Sequence, residues 1–152
     1  MIDRCIFLAE DDLDDQDIFR QAIREVSDTV FFKAFDDGVE LMETLNRNRP
    51  LPDVLFLDLN MPRKSGFECL AEIKGDSMLK DIHVVILSTS THPQNIHYCY
   101  KYGAAFYAVK PPDYYSMTKL IKKVLHHDWA LEIPKSEFLV DYKPSFLKNA
   151  RK

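Results

Sequence analysis

The sequence predicts an α/β fold in which five parallel strands form a doubly wound sheet. Short apolar runs alternate with longer segments whose apolar residues recur every three or four positions, which is a βα pattern. The apolar runs are nearly continuous, as expected for parallel strands covered on both faces. At 152 residues the chain suits one compact domain and leaves no room for a second independent one.

Each element follows from its local pattern. The predicted strands are residues 5–9, 30–35, 54–57, 84–87 and 106–109. Apolar positions 18, 19, 22, 23 and 26 predict the first helix, 39, 42 and 45 the second, and 67, 70 and 71 the third. The fourth helix, 92–102, is less regular because tyrosines spread around it, whereas positions 117, 120, 121, 124 and 125 give the fifth a clear helical phase. Short right-handed connections then place helices on both faces of the sheet.

Composition and charge narrow the class of protein. The chain is 46% hydrophobic and 29% charged, which is typical of a soluble globular protein. No apolar run approaches the roughly 18 residues of a membrane span, and acidic residues come too early for a signal peptide, so we predict a cytoplasmic protein. A net charge of −4 favours a protein partner over nucleic acid. The spacing of Cys5, Cys69 and Cys99 suggests neither a disulfide framework nor a zinc site.

Polar residues stand where four of the predicted strands end. The first strand runs into Glu10 and Asp11, the third into Asp58, the fourth into Ser88 and the fifth into Lys110. Doubly wound sheets bind ligands beyond the carboxyl ends of their strands, so these side chains should lie together. Clustered carboxylates repel one another unless a cation lies among them, which predicts Mg²⁺. A lysine and a hydroxyl opposite them suit a transferred phosphoryl group.

Residues 57–66, which read LDLNMPRKSG, resemble the phosphoacceptor segment of receiver domains in bacterial two-component response regulators. The resemblance spans roughly residues 3–127 and also includes Glu10-Asp11, Ser88, Gly103-Ala104 and Lys110-Pro111. It implies a flavodoxin-like (βα)5 receiver fold for residues 1–127. It further implies a single-domain response regulator, similar to those that partner phytochrome-type or other hybrid histidine kinases.

The same resemblance implies a role for each matching residue in phosphoryl transfer. Asp58 would be the phosphoacceptor. Mg²⁺ would be held by Asp11, Asp58 and the main-chain carbonyl of Asn60, with Glu10 acting through metal-bound water. The phosphoryl group would come from a histidine kinase or a phosphotransfer protein. Because this chemistry is limited to the chain's own phosphorylation and dephosphorylation, the protein would be a switch and not an enzyme.

Three further residues would transmit the change. Lys110 would pair with the aspartyl phosphate, and Ser88 would move to hydrogen-bond one phosphoryl oxygen. Tyr107, at the aromatic switch position, would turn inward as Ser88 moves. The altered surface would then be recognised by a downstream protein that the sequence does not identify.

Other interpretations compete with these roles. Asp12, Asp14, Asp15 and Asp17 are interpreted as solvated acids at a helix start. One alternative function is a phosphatase of the haloacid dehalogenase type, which also uses an aspartyl nucleophile. Such an enzyme needs a second acid two positions later, where this chain has Asn60. The other alternative is an adaptor that works without phosphorylation.

Residues 128–152 lack the βα pattern and are too short for a DNA-binding output domain. They contain Trp129, Phe138, Tyr142 and Phe146. Because four aromatic side chains are unfavourable in water, we expect this extension to pack on its own domain or on a second subunit. Packing on a second subunit would make the protein a homodimer.

Overall fold

The computed structural model describes residues 4–47 and 50–143. Predictions for Phe146 and the other residues of 144–152 lie outside this range. The strands are β1 (Cys5–Ala9), β2 (Phe31–Phe35), β3 (Val54–Asp58), β4 (His83–Ser88), β5 (Phe106–Val109) and β6 (Leu139–Val140). The helices are α1 (Leu13–Val26), α2 (Gly38–Arg47), α3 (Gly66–Gly75), α4 (Pro93–Lys101) and α5 (Tyr114–Leu125), with a short 3₁₀ turn at Lys135–Glu137.

All neighbouring strands are parallel, in the order β2-β1-β3-β4-β5-β6. The predicted doubly wound (βα)5 sheet is confirmed. The first five strands differ from the predicted bounds by no more than one residue at either end. The prediction of five strands in total was wrong, because the chain returns after α5 and adds β6 beside β5.

Two apolar layers cover the two faces of the sheet. Side chains of α2, α3 and α4, such as Leu41, Leu70 and Cys99, pack on one face. Side chains of α1 and α5, such as Phe19 and Leu120, pack on the other. Since both faces are buried, the strands need the continuous apolar runs seen in the sequence. In the described part of the chain, no helix is long and apolar enough to span a bilayer.

Side-chain caps fix where the helices nearest the carboxyl strand ends begin. The Asp12 carboxylate accepts hydrogen bonds from the backbone of Asp14 and Asp15 at the start of α1. Asp113 accepts a hydrogen bond from the backbone of Ser116 in α5. These bonds satisfy backbone donors that lack helical partners. Both helices therefore begin a few residues after the carboxyl ends of β1 and β5.

The extension after α5 folds back on the domain. The Trp129 ring stacks on His83 with centroids 4.1 Å apart. Phe138 is buried and meets the Tyr100 ring edge-on at 5.1 Å. The Tyr107 backbone N–H donates to the Phe138 carbonyl at 2.9 Å. The described part of the extension is therefore packed and hydrogen-bonded along β5.

Candidate functional site

Four strand ends bring their polar residues together at one edge of the sheet. Glu10 follows β1, Asp58 ends β3, Ser88 ends β4 and Lys110 follows β5. The Lys110 backbone N–H donates to the Ser88 carbonyl at 2.8 Å, which holds these two residues side by side. Glu10, Asp58 and Ser88 are buried, at 2%, 4% and 0% exposure, so their polar atoms depend on one another and not on bulk water.

The backbone around Asp58 is tightly constrained. A Cβ atom on Gly66 would collide with the Asp58 carbonyl oxygen, so only glycine fits there without displacing the strand end. The loop between them contains Arg63, which has a positive φ of 68°. The Arg63 guanidinium donates to Asp37 at 2.9 Å and ties this loop to the start of α2. Asp58 therefore has a defined position.

Three carboxylates form a cluster suited to a cation. Oxygen atoms of Glu10, Asp11 and Asp58 lie within 4.8 Å of one another. The set is all oxygen and doubly or triply negative, as a hard divalent cation such as Mg²⁺ requires. The Asn60 backbone N–H donates to Asp58 Oδ1 at 3.2 Å, so Asn60 lies beside the cluster. The assignment of its carbonyl as a ligand stays a prediction.

Lys110 is the cation that the described residues supply to this cluster. Its Nζ lies 2.6 Å from Glu10 Oε1, 3.3 Å from Asp15 Oδ2 and 3.5 Å from Asp58 Oδ2. Burial lowers the pKa of Lys110, but the Glu10 hydrogen bond and the charges on Asp58, Glu10 and Asp15 outweigh burial and raise this pKa above its ordinary value. The ammonium therefore stays charged.

For Glu10, the effect of burial on the pKa outweighs that of its charged partner. Burial raises the pKa of Glu10 to about 7; the hydrogen bond from Lys110 opposes the rise and the charge on Asp58 adds to it. Gln16, itself buried, donates to the Glu10 carbonyl at 2.6 Å and to Asp36 at 2.8 Å. The Glu10 backbone is thereby fixed beneath its carboxylate.

Ser88 connects the cluster to Tyr107 through Ser90. The Ser88 hydroxyl oxygen accepts a hydrogen bond from the Ser90 backbone N–H at 3.0 Å. The Tyr107 hydroxyl donates to the Ser90 carbonyl at 2.8 Å. Tyr107 is fully buried, so its ring already faces inward in this structure. Burial also raises the pKa of Tyr107, which keeps the phenol a hydrogen-bond donor.

Sequence reasoning missed one member of this site. Asp15 was interpreted as a solvated acid, yet its carboxylate is a partner of Lys110, 95 residues away. No usable signal for this contact was present in the sequence, because Asp11, four residues earlier, lies before the Asp12 cap and outside α1. Asp12, in contrast, caps α1, and Asp17 pairs with Arg20 on the surface.

Comparisons with known proteins agree with this arrangement. Residues 6–124 match the family described as "Response regulator receiver domain". The response regulator Rcp1 of Synechocystis sp. is 29% identical over 126 residues, which cover 80% of this chain and 86% of the relative. The solved structure of the phosphorylated cyanobacterial phytochrome response regulator RcpA has a TM-score of 0.76 and 34% identity, covering 81% of this chain and 91% of RcpA. The Mn²⁺-bound form of response regulator Rcp1 has a TM-score of 0.75 and 27% identity, covering 86% of this chain and 99% of the Rcp1 chain.

Proposed function

The chain belongs to the response regulator receiver domain family, whose members act in phosphorelay signalling, and we propose on this basis that Asp58 accepts a phosphoryl group from a histidine kinase or a phosphotransfer protein. The observation that carries the proposal is Asp58 itself, a buried carboxylate at a strand end with Lys110 Nζ 3.5 Å away. Receiver-domain proteins are in general signalling proteins and not enzymes. We expect this chain to catalyse only its own phosphorylation and dephosphorylation.

The proposed step is a displacement at phosphorus. A carboxylate oxygen of Asp58 forms the new P–O bond while the bond from phosphorus to the donor atom breaks, and its electron pair leaves with the donor. The product is an acyl phosphate on Asp58. Lys110 balances the negative charge spread over the phosphoryl oxygens, and the Ser88 hydroxyl donates to one of them.

Mg²⁺ is the proposed cofactor, because the oxygen-only cluster fits it. Asp11, Asp58 and the Asn60 carbonyl would hold the ion, with Glu10 acting through a bound water. When bound, Mg²⁺ would offset the charge of the carboxylates and of the incoming phosphoryl group. The relative Rcp1 has a Mn²⁺-bound form, and this divalent ion in a similar receiver supports the same kind of ion here.

We further propose that Ser88 and Tyr107 form the switch. When the Ser88 hydroxyl turns toward the phosphoryl group, it no longer accepts the hydrogen bond from the Ser90 backbone. The Ser90 carbonyl, which holds the Tyr107 hydroxyl, belongs to the same loop. The Tyr107 backbone N–H is hydrogen-bonded to the Phe138 carbonyl. A change in the position of Tyr107 would therefore reach the extension and the surface. A downstream protein would recognise this surface.

The phosphatase alternative is not favoured. The position two residues after Asp58 is Asn60, whose amide cannot exchange a proton as a general acid or base. In the structure, Asn60 instead donates its backbone N–H to Asp58. A phosphorylation-independent adaptor has no need for a half-buried lysine among three carboxylates, because such a cluster is unfavourable without a ligand.

Residues 128–152 are proposed to be an extension of this receiver and not a separate output domain. Its described part packs on β4, α4 and β5 of the same chain. A homodimer and a cytoplasmic location stay predictions. Light scattering during size-exclusion chromatography can compare the full chain with one ending at Asp128, and an unchanged mass would contradict a dimer formed by the extension.

Intact mass spectrometry after incubation with acetyl phosphate and Mg²⁺ tests the main proposal. We expect the full chain to gain one phosphoryl group and Asp58→Asn to gain none. Asp14→Asn is the matched control, since it removes an exposed acid near the site and should be labelled normally. Absence of labelling on the unaltered chain, under conditions that label a known receiver, would refute phosphoacceptor function. Equal labelling of Asp58→Asn would place the acceptor elsewhere.

A further inference from the structure

Asp15 occupies an unusual position for an acid in the first turn of a surface helix. Its backbone is held by the Asp12 cap, and its carboxylate reaches across to Lys110 at 3.3 Å. Its side chain is 45% exposed, whereas the side chain of Glu10, which contacts the same Lys110 ammonium, is 3% exposed. A cavity of about 240 Å³ adjoins Glu10, Asp15 and Lys110. The solvent-exposed Asp15 carboxylate is therefore less confined by its surroundings than the buried Glu10 carboxylate.

The distances show how the carboxylates share Lys110. An ammonium has three N–H donors. The two shortest contacts of Lys110 go to Glu10 and Asp15, and the contact to Asp58 is the longest, at 3.5 Å. Asp15 and Asp58 thus both interact with the Lys110 ammonium. A phosphoryl group on Asp58 adds negative charge at Asp58 and strengthens the attraction between this residue and the Lys110 ammonium.

We propose that Asp15 is a positioning residue that competes with the phosphoryl group on Asp58 for Lys110 and so limits how strongly this site holds a phosphoryl group. The inference rests on the proposed function of Asp58. Asp15 supplies a negative charge that satisfies Lys110 before transfer and repels the phosphoryl oxygens after it. The same charge attracts a divalent cation at the neighbouring cluster.

These two effects have opposite signs, which makes the inference testable with Asp15→Asn. Losing the negative charge leaves Lys110 freer for an anionic group, so beryllofluoride, a phosphoryl mimic, should bind about fivefold more tightly at saturating Mg²⁺. Mg²⁺ alone should bind about threefold more weakly, because the cluster loses a nearby negative charge. A variant that only loosens the fold would weaken both.

Isothermal titration calorimetry with Mg²⁺ alone, and then with beryllofluoride in excess Mg²⁺, measures both affinities. Asp14→Asn removes the same charge from the same helical turn, one residue away from the contact, and both its affinities should stay within about twofold. Asp15→Glu keeps a carboxylate on a longer side chain and should restore the affinities of the unaltered protein.

Each outcome decides the inference. It is supported if Asp15→Asn binds beryllofluoride more tightly and Mg²⁺ more weakly while Asp14→Asn does neither. It is overturned if Asp15→Asn equals the unaltered protein, weakens both ligands, or matches Asp14→Asn. If the unaltered protein itself binds no beryllofluoride and is not labelled on Asp58, the proposed function fails and the inference fails with it.

Discussion

Replacing Asp58 by Asn should stabilise the protein in the absence of divalent cations. At an effective dielectric constant of about 20, unit charges separated by the 4.8 Å limit of the cluster repel by about 3.5 kcal/mol. Asp58 has two such neighbours, Glu10 and Asp11. Its attraction to Lys110 at 3.5 Å is about 5 kcal/mol on the same scale. The two repulsions exceed the attraction, so Asp58→Asn should raise the free energy of unfolding by about 2 kcal/mol.

Urea denaturation at pH 8 in the presence of EDTA measures this difference. This pH lies above the pKa of about 7 that burial gives Glu10, so Glu10 is mostly ionised. As the pH falls through 7, Glu10 gains a proton and one repulsion disappears; the attraction to Lys110 then exceeds the remaining repulsion, so the gain should turn into a loss. Added Mg²⁺ should stabilise the unaltered protein more than the variant, because the variant has lost a ligand.

Asp14→Asn provides the comparison for this experiment, since Asp14 is exposed and lies outside the cluster. Its free energy of unfolding should change by less than about 0.5 kcal/mol. A less stable Asp58→Asn protein in EDTA at pH 8 would refute the account, as would an equal response of both proteins to Mg²⁺. The first result would mean that Lys110 already compensates the carboxylate charges, and the second that Asp58 does not bind the ion.

Three further predictions concern groups away from the carboxylates. Tyr107→Phe loses the bond to the Ser90 carbonyl, so its free energy of unfolding should fall by about 1 kcal/mol in urea denaturation; no change would mean that water replaces the hydroxyl. Burial and the charge on Lys74 lower the pKa of His83 from 6.5, so the folded chain binds fewer protons there and stability should fall as the pH drops below 6.5. Denaturation followed by fluorescence of Trp129, the single tryptophan, should show this loss, and His83→Gln should reduce it. Burial raises the pKa of Cys99 from 9.0 to about 12, so stability should fall as the pH rises above 9, by up to about 1.4 kcal/mol per pH unit for this thiol, and less steeply in Cys99→Ala.

The sequence was sufficient to predict which strand-end residues lie together. In a parallel sheet every strand ends at the same edge, so an apolar run followed by Glu10, Asp58 or Lys110 already gives the position of that side chain in space. The five main strands were also predictable, because burial on both faces demands continuous apolar runs. Local patterns and chain topology were enough for these features.

Contacts between helices and distant loops were not predictable in the same way. The pairing of Asp15 with Lys110 depends on the rotation of α1 and on where the loop after β5 directs the lysine. Neither leaves a periodic signal. β6 was missed because its two residues are too few to show a strand pattern. The inward position of Tyr107 depends on the Ser90 carbonyl, which belongs to another loop.

The strand β6 also has a consequence for aggregation. Without Leu139–Val140, the apolar strand β5 would form the edge of the sheet and present unpaired backbone groups to strands of other chains. A two-residue edge strand offers far fewer groups for such pairing. Chains shortened before Phe138 should therefore precipitate more readily during heating, through open-ended strand-to-strand association that differs from a closed dimer. The extension protects the sheet edge whatever part it plays in signalling.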